Sequence, residues 1–266
     1  MFLSLNTALN SLAKIINPMK KFLLLPLLML FGTGYAQSIE GAWKMTHQNG
    51  QPVEDVEYIK IYQDDYFAFG AKKISDNHFI GAGGGPFELN GGSYIEVLDF
   101  FTLDPFQVGT VNKYKLDWVD GKIVISSEIN GNMLVEIWER VSDAEDDLTG
   151  NWVITGRKRG EEISRNTPGA RRTIKILSGG RFQWVAFNSE TKEFSGSGGG
   201  TYTAKDGKYI ENITFFSRDD SRVGASLSFD YEVIDGEWHH SGLSSTGNPI
   251  YEIWTPYAIG YPGPKM

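Results

Sequence analysis

The sequence predicts an all-β protein made of two tandem up-and-down antiparallel barrels, and three observations predict it. First, the chain is written twice. Gly41-Ala42-Trp43 returns as Gly150-Asn151-Trp152 (150 − 41 = 109), and Ile59-Lys60-Ile61 returns as Ile174-Lys175-Ile176 (174 − 59 = 115). Tyr94-Ile95-Glu96 and Tyr209-Ile210-Glu211 keep the second offset, as do Gly83-Gly84-Gly85 and Gly198-Gly199-Gly200. Glu136-Ile137-Trp138 returns as Glu252-Ile253-Trp254 (252 − 136 = 116). Second, short runs rich in Ile, Val, Tyr, Phe and Trp alternate with polar residues between Gly-containing turn signals. Third, no stretch carries an amphipathic helical period over three turns. Hairpin-linked strands at even spacing close most simply into a barrel.

Taken in order, residues 1–36 read as a leader. Met19-Lys20-Lys21 is a basic start, Phe22 to Phe31 an apolar core, and Gly34-Tyr35-Ala36 a small-x-small cleavage site. The true start is Met1 or Met19. The apolar core is about half a membrane span, so no integral membrane segment is expected after cleavage. The chain has no cysteine, which rules out disulfide staples and a lipid on a leader cysteine. The expected location is periplasmic or secreted.

Residues 37–141 form the first expected barrel. Its strands are Val56 to Tyr62, Tyr66 to Phe69, Ser93 to Phe100, Thr110 to Trp118, Lys122 to Ser127 and Met133 to Trp138. Asn49-Gly50, Asn90-Gly91-Gly92, Asp120-Gly121 and Asn130-Gly131 separate them. Residues 142–147, with Asp143, Glu145, Asp146 and Asp147, read as a solvated acidic linker. Residues 148–257 form the second barrel, with turns at Asp206-Gly207 and Asp235-Gly236, and 258–266 a tail. The triple glycines fit a sharp bend or bulge at a barrel corner.

Gly41-x-Trp43, the late Glu-Ile-Trp and the run Gly198 to Tyr202 resemble tandem lipocalin-like domains of secreted Bacteroidota proteins. The resemblance implies that Trp43 seals one barrel end and that Arg140, from a late strand, packs on it as a cation–π pair. Trp152 has no such arginine, because Pro256 stands there. Some similar secreted proteins sit in polysaccharide-degradation gene clusters beside dehydratases for algal oligosaccharides. That company implies a carbohydrate role.

Departures of one half from the other mark candidate sites. Residues 39–141 hold 8 Lys and Arg against 16 Asp and Glu, whereas 148–257 hold 13 of each. The added base clusters in Arg157, Lys158, Arg159, Arg165, Arg171, Arg172, Lys175, Arg181 and Lys192, around six extra residues between Trp152 and Ile174. Such a patch either presents arginine forks to an anionic ligand at a barrel mouth or is a solvated hairpin paired with the acidic first domain. His240 and Trp238 replace Ile125 and Ile123 on an inward face, Tyr202 replaces Phe87, and Tyr231 replaces Leu116. Arg172 shares its phase with Ile174 and Ile176 and is expected to turn inward. Glu96 and Glu211 lie on apolar faces. Such a carboxylate either finds hydrogen-bond partners or rises in pKa. Their retention in both halves favours a structural role.

Together these place a polar cavity in the second barrel and a packed or apolar interior in the first. The expected activity is elimination on an anionic oligosaccharide, of dehydratase or lyase type. His240, Arg172, Tyr231, Tyr202 and Glu211 would be the catalytic candidates. Arg171 and Arg181 would bind acidic groups, and Trp238 and Trp184 would stack on the sugar. The alternative is a non-catalytic barrel that holds a glycan, lipid or other small ligand. No cofactor is implied. The four histidines show no ligand spacing for a metal, the triple glycines lack the lysine of a phosphate loop, and an acidic exported chain does not suit nucleic acid.

Overall fold

The computed structural model describes residues 38–129, 131–244 and 246–263. The expected leader and the last three residues of the expected tail lie outside them. Barrel 1 contains β1 (Gly41–Gln48), β2 (Gln51–Pro52), β3 (Val56–Gln63), β4 (Tyr66–Lys73), β5 (Phe79–Asn90), β6 (Ser93–Val97), β7 (Phe100–Phe101), β8 (Val111–Val119), β9 (Lys122–Ile129) and β10 (Asn132–Ser142). Barrel 2 contains β11 (Gly150–Arg159), β12 (Glu162–Arg165), β13 (Arg171–Ser178), β14 (Arg181–Asn188), β15 (Glu193–Lys205), β16 (Lys208–Phe216), β17 (Ser226–Ile234), β18 (Glu237–Leu243) and β19 (Pro249–Pro256), followed by the short helix α1 (Tyr257–Gly260). Each sheet runs in sequence order and closes, β10 on β1 and β19 on β11. Both are closed eight-stranded antiparallel barrels, with β2 and β12 as extra edge pieces and β6 and β7 sharing one place. The duplicated all-β architecture is as the sequence predicts, and it is consistent with a lipocalin-like (calycin) fold in general.

Local chemistry explains the hairpins. Asp120 and Gly121 both take positive φ, 51° and 77°, as do Asp235 and Gly236, at 52° and 79°. That is the left-handed pair a tight two-residue hairpin requires. The triple glycines mark close strand contact. A Cβ on Gly85 would lie 1.8 Å from the Val97 carbonyl oxygen, and one on Gly200 would lie 1.8 Å from that of Asn212. In barrel 2 the register slips between Gly199 and Gly200. In barrel 1 the same crowding breaks the strand expected over Ser93 to Phe100. There β5 pairs with β6 through Phe87 and with β7 at Gly83 and Gly84.

The described residues form three apolar cores. Trp43, Tyr62, Phe67, Tyr94 and Trp138 fill part of barrel 1, and Trp152, Tyr209, Trp238 and Trp254 fill barrel 2. The third lies between the barrels and holds Ile61, Phe100, Ile174, Ile176, Val185 and Phe187. Equivalent residues meet there. Phe79 stacks on its counterpart Phe194 at 6.3 Å and 2°. Ser178 Oγ donates to its counterpart Gln63 at 2.8 Å. Asp64 accepts from the Asn151 amide at 2.9 Å. Its counterpart Gly179 lies against Ala42, the counterpart of Asn151. This is the geometry of an isologous dimer interface, written within one chain.

One end of barrel 1 is sealed by Trp43. Its Nε1 donates to the Ile39 carbonyl at 2.8 Å, and the Arg140 guanidinium lies 4.2 Å over the ring. Trp152 keeps the first contact, to Leu148, and faces Pro256 instead of an arginine. Among the described residues no helix is long and apolar enough to cross a membrane.

Candidate functional site

Each barrel interior carries a buried lysine–glutamate pair. On β3 the apolar residues Ile59 and Ile61 turn out to the partner barrel, so Lys60 turns in. On β6, Tyr94 and Glu96 turn in, and Lys60 Nζ reaches Glu96 at 2.6 Å. The Tyr94 hydroxyl donates to the same carboxylate and lies 3.1 Å from the Tyr62 hydroxyl. The lysine also faces the rings of Phe67 at 4.6 Å and Trp138 at 5.5 Å. Burial alone would lower its pKa, but Glu96 and the surrounding acidic groups outweigh that and raise it, so the ammonium stays charged. Burial pushes Tyr62 up to about 12. Barrel 2 repeats the pair with Lys175 and Glu211 at 2.7 Å. The inward glutamates therefore have partners, and the lysines supply them.

Beside this pair, barrel 1 holds a cavity of about 260 Å³. Its inner wall is Lys60, Phe67, Glu96, Ile125 and Trp138; Tyr58, Phe69, Phe101, Tyr114 and Glu136 stand further out; Gln48, Leu103 and Gln107 form the exposed rim. The turn between the last two exposes Phe106, 85% accessible, and Val111 follows at 58%. Glu136 accepts from Trp138 Nε1 at 3.1 Å. Burial raises its pKa against the opposing pull of Lys60. Among the described residues no cation stands within ion-pair distance of it.

Barrel 2 uses the matching space for its own side chains. Trp184 stands for Phe69, Leu227 for Asn112, His240 for Ile125 and Arg157 for Gln48. The His240 ring lies 4.2 Å from Phe229 and 5.2 Å from Trp238, and Trp184 packs on Phe216 at 5.6 Å. Arg157 reaches Glu252, the counterpart of Glu136, at 3.4 Å, and His240 Nδ1 lies 3.6 Å from the same carboxylate. Burial would raise Glu252; His240, Lys175 and Arg157 reverse it and hold the pKa below the ordinary value. The expectation of a polar cavity in the second barrel and a packed or apolar interior in the first is thus corrected: the cavity with Lys60, Glu96 and Glu136 in its wall lies instead in barrel 1. The larger and charged substitutions in barrel 2 consume the space they were expected to line.

The structure does not bring the expected catalytic residues together as one group: His240 and Glu211 face each other inside barrel 2, and Arg172 lies outside it. His240 is inside barrel 2, and burial lowers its pKa, so it is neutral near pH 7. Arg172 keeps the phase of Ile174 and Ile176, but that face points out of the barrel. It is buried between the barrels, 2.6 Å from Asp99, with Tyr261 4.1 Å under the guanidinium. The reason is that β13 packs an apolar face on a second barrel, which inverts the inside–outside reading. Tyr231 donates to the linker carboxylate of Asp147 at 2.7 Å. The Tyr202 hydroxyl lies 3.5 Å from Thr149 Oγ1, beside Asp146. Their added hydroxyls fasten the acidic linker, which is therefore not simply solvated. Glu211 is bound to Lys175.

Of the expected binding residues, Trp238 is fully buried core and Trp184 is packed within barrel 2. Arg171 is exposed at the start of β13, and Arg181 lines a cleft of about 10 Å³ between the barrels. The basic insertion forms the exposed β11–β12 hairpin. Its cations pair mostly within barrel 2, Lys158 with Glu161 and Arg165 with Glu237 at 2.8 Å. Sequence reasoning missed Lys60, Tyr58, Tyr114 and Glu136. One signal was present: a lysine and a glutamate each retained in both halves, 36 residues apart.

Among the described residues no three His, Asp or Glu side chains converge as a metal site. Compared with models of known protein families and with curated proteins, the chain matches none.

Proposed function

We propose that the protein binds a small amphipathic ligand in barrel 1. The observation that carries this is the cavity of about 260 Å³, walled by aromatic rings and holding a carboxylate without a matching cation. Its volume lies just below the range of about 300–1,000 Å³ usual for small-molecule sites, which limits the ligand to a small one. Leu103 at the rim, with the exposed Phe106 and Val111 beside rim and wall residues in sequence, suits a ligand with an apolar body. The resemblance to tandem lipocalin-like domains of secreted Bacteroidota proteins supports a carrier or receptor role outside the cytoplasm, with glycans among the ligand classes. The test is native mass spectrometry of the intact protein from its source extract, beside Ile125→Phe, which turns a ring into the cavity. A retained mass lost in the variant is expected. A mass held equally by both would overturn the assignment to barrel 1.

A second reading keeps elimination on an anionic oligosaccharide, moved to the same cavity. The observation favouring it is Glu136, whose raised pKa suits an acid–base group, beside Tyr58 and Tyr114. Incubation with acidic oligosaccharides should then give an unsaturated product absorbing in the ultraviolet. Glu136→Gln should abolish it, and no product from any acidic sugar would remove this reading.

A further inference from the structure

The two barrels solve the same local problem differently, and the difference names a ligand class. In barrel 2, Glu252 on β19 is flanked by Arg157 on β11 and His240 on β18. In barrel 1 the corresponding Glu136 on β10 is flanked by Gln48 on β1 and Ile125 on β9. The register is the same, so the glutamates occupy equivalent places. Barrel 2 supplies its glutamate with a half-exposed guanidinium of its own, 3.4 Å away; barrel 1 offers a neutral amide, an isoleucine and an open cavity. Lys60 does not fill the role, because Glu96 and the rings of Tyr62, Phe67, Tyr94 and Trp138 already hold its ammonium.

The geometry points to an organic ammonium ion, a primary amine on an aryl or alkyl body, as the ligand of barrel 1. It would place its cation on Glu136 where Arg157 stands in barrel 2. This rests on barrel 1 being a binding cavity and goes beyond it by fixing the sign of the ligand's charge. Three features agree. Lys60 is ion-paired to Glu96, so Glu136 has no ion-pair partner of its own among the described residues, and Lys60 offsets only part of its desolvation. Tyr58, Phe69, Tyr114 and Trp138 line the same cavity as that carboxylate and supply aromatic rings for a cation. Barrel 1 as a whole holds 16 acidic against 8 basic side chains, a field that draws cations toward its mouth.

The experiment is calorimetric titration of the full-length protein at neutral pH and low salt with three probes of one shape: phenethylammonium, 2-phenylethanol and 3-phenylpropionate. Phenethylammonium is expected to bind about tenfold tighter than either of the others. Glu136→Gln should erase that preference while leaving the alcohol's affinity unchanged. Gln48→Arg, at an exposed rim position, should block the ammonium by installing the cation that barrel 2 carries. Circular dichroism of both variants confirms the fold. The alcohol or the carboxylate binding as tightly as the amine, or a preference that survives Glu136→Gln, would overturn the ammonium assignment. If such binding is lost in Ile125→Phe, the cavity reading still stands. If no probe binds, the ammonium assignment falls. The cavity reading falls with it when wild type and Ile125→Phe also retain the same mass from the extract.

Discussion

Lys60 and Glu96 meet at 2.6 Å inside barrel 1 with 7% and 8% of their side chains exposed. Lys175 and Glu211 repeat the contact in barrel 2 at 2.7 Å. A buried pair of this kind is weak support for stability, because desolvation offsets the attraction, yet breaking it is costly. Lys60→Ala is therefore expected to cost about 3–5 kcal/mol, because it strands the carboxylate of Glu96. The apolar double variant Lys60→Met, Glu96→Leu should recover most of that loss. Urea unfolding of the two variants measures both. A double variant as unstable as the single one would show that the pair itself, and not the stranded charge, is the source of stability.

Arg172→Ala should act between the barrels. The side chain ties Asp99 of barrel 1 to β13 and accepts packing from Phe187 and Tyr261. Its loss leaves Asp99 uncompensated, at about 3–5 kcal/mol. Tyr66 and Tyr257 still approach that carboxylate, at 3.0 and 3.5 Å. Denaturation should separate into two transitions in the variant, because the interface weakens while each interior is untouched. Retention of one wild-type transition would place the residue outside the coupling of the barrels.

The barrels were legible because alternation and turn chemistry are local. Asp120-Gly121 and Asp235-Gly236 specify hairpins whatever surrounds them, and Trp43 with Arg140 is set by register across one strand pair. The site was not legible, because alternation gives the phase of a strand and not its direction. Ile174 and Ile176 look like interior residues, and Arg172 with them. A second apolar surface, contributed by the other barrel, takes that face and sends Lys175 inward. The polar substitutions misled for a related reason. A hydroxyl gained at Tyr231 is as useful to the linker residue Asp147 as to a substrate, and only the path of the linker decides.

His240 should make barrel 2 acid-sensitive. Burial lowers its pKa from the ordinary value near 6.5, with Lys175 adding to the effect and Glu252 opposing it. Glu211 faces the same ring and also favours its charged form. A depressed pKa means the unfolded chain takes up the proton first. The associated stability is present above about pH 6.5 and is lost as pH falls toward the folded value. His240→Ile, the aliphatic choice of barrel 1, removes the titration. Denaturation midpoints of wild type and variant should therefore diverge as pH falls below about 6.5, with wild type losing more. Parallel curves across that window would show that the imidazole does not titrate differently on folding.

Glu136 should behave in the opposite sense. Burial raises its pKa, while Lys60 and the Trp138 indole favour the charged form and reduce the rise. A raised carboxylate pKa means the folded state holds the proton more tightly than the unfolded chain. The stability it contributes is complete below the unfolded value, about 4.3, and is lost as pH rises through the folded one. At neutral pH the ligand-free protein therefore bears the cost of a desolvated charge. Glu136→Gln, which keeps an acceptor for the indole, should be more stable than wild type at pH 7 and equal to it near pH 4. A site that binds at the expense of stability shows this pattern. Adding a ligand that places a cation on Glu136 should raise the wild-type denaturation midpoint more than the variant's. A variant less stable than wild type at pH 7 would mean that the indole and Lys60 outweigh desolvation, and the carboxylate would then be structural.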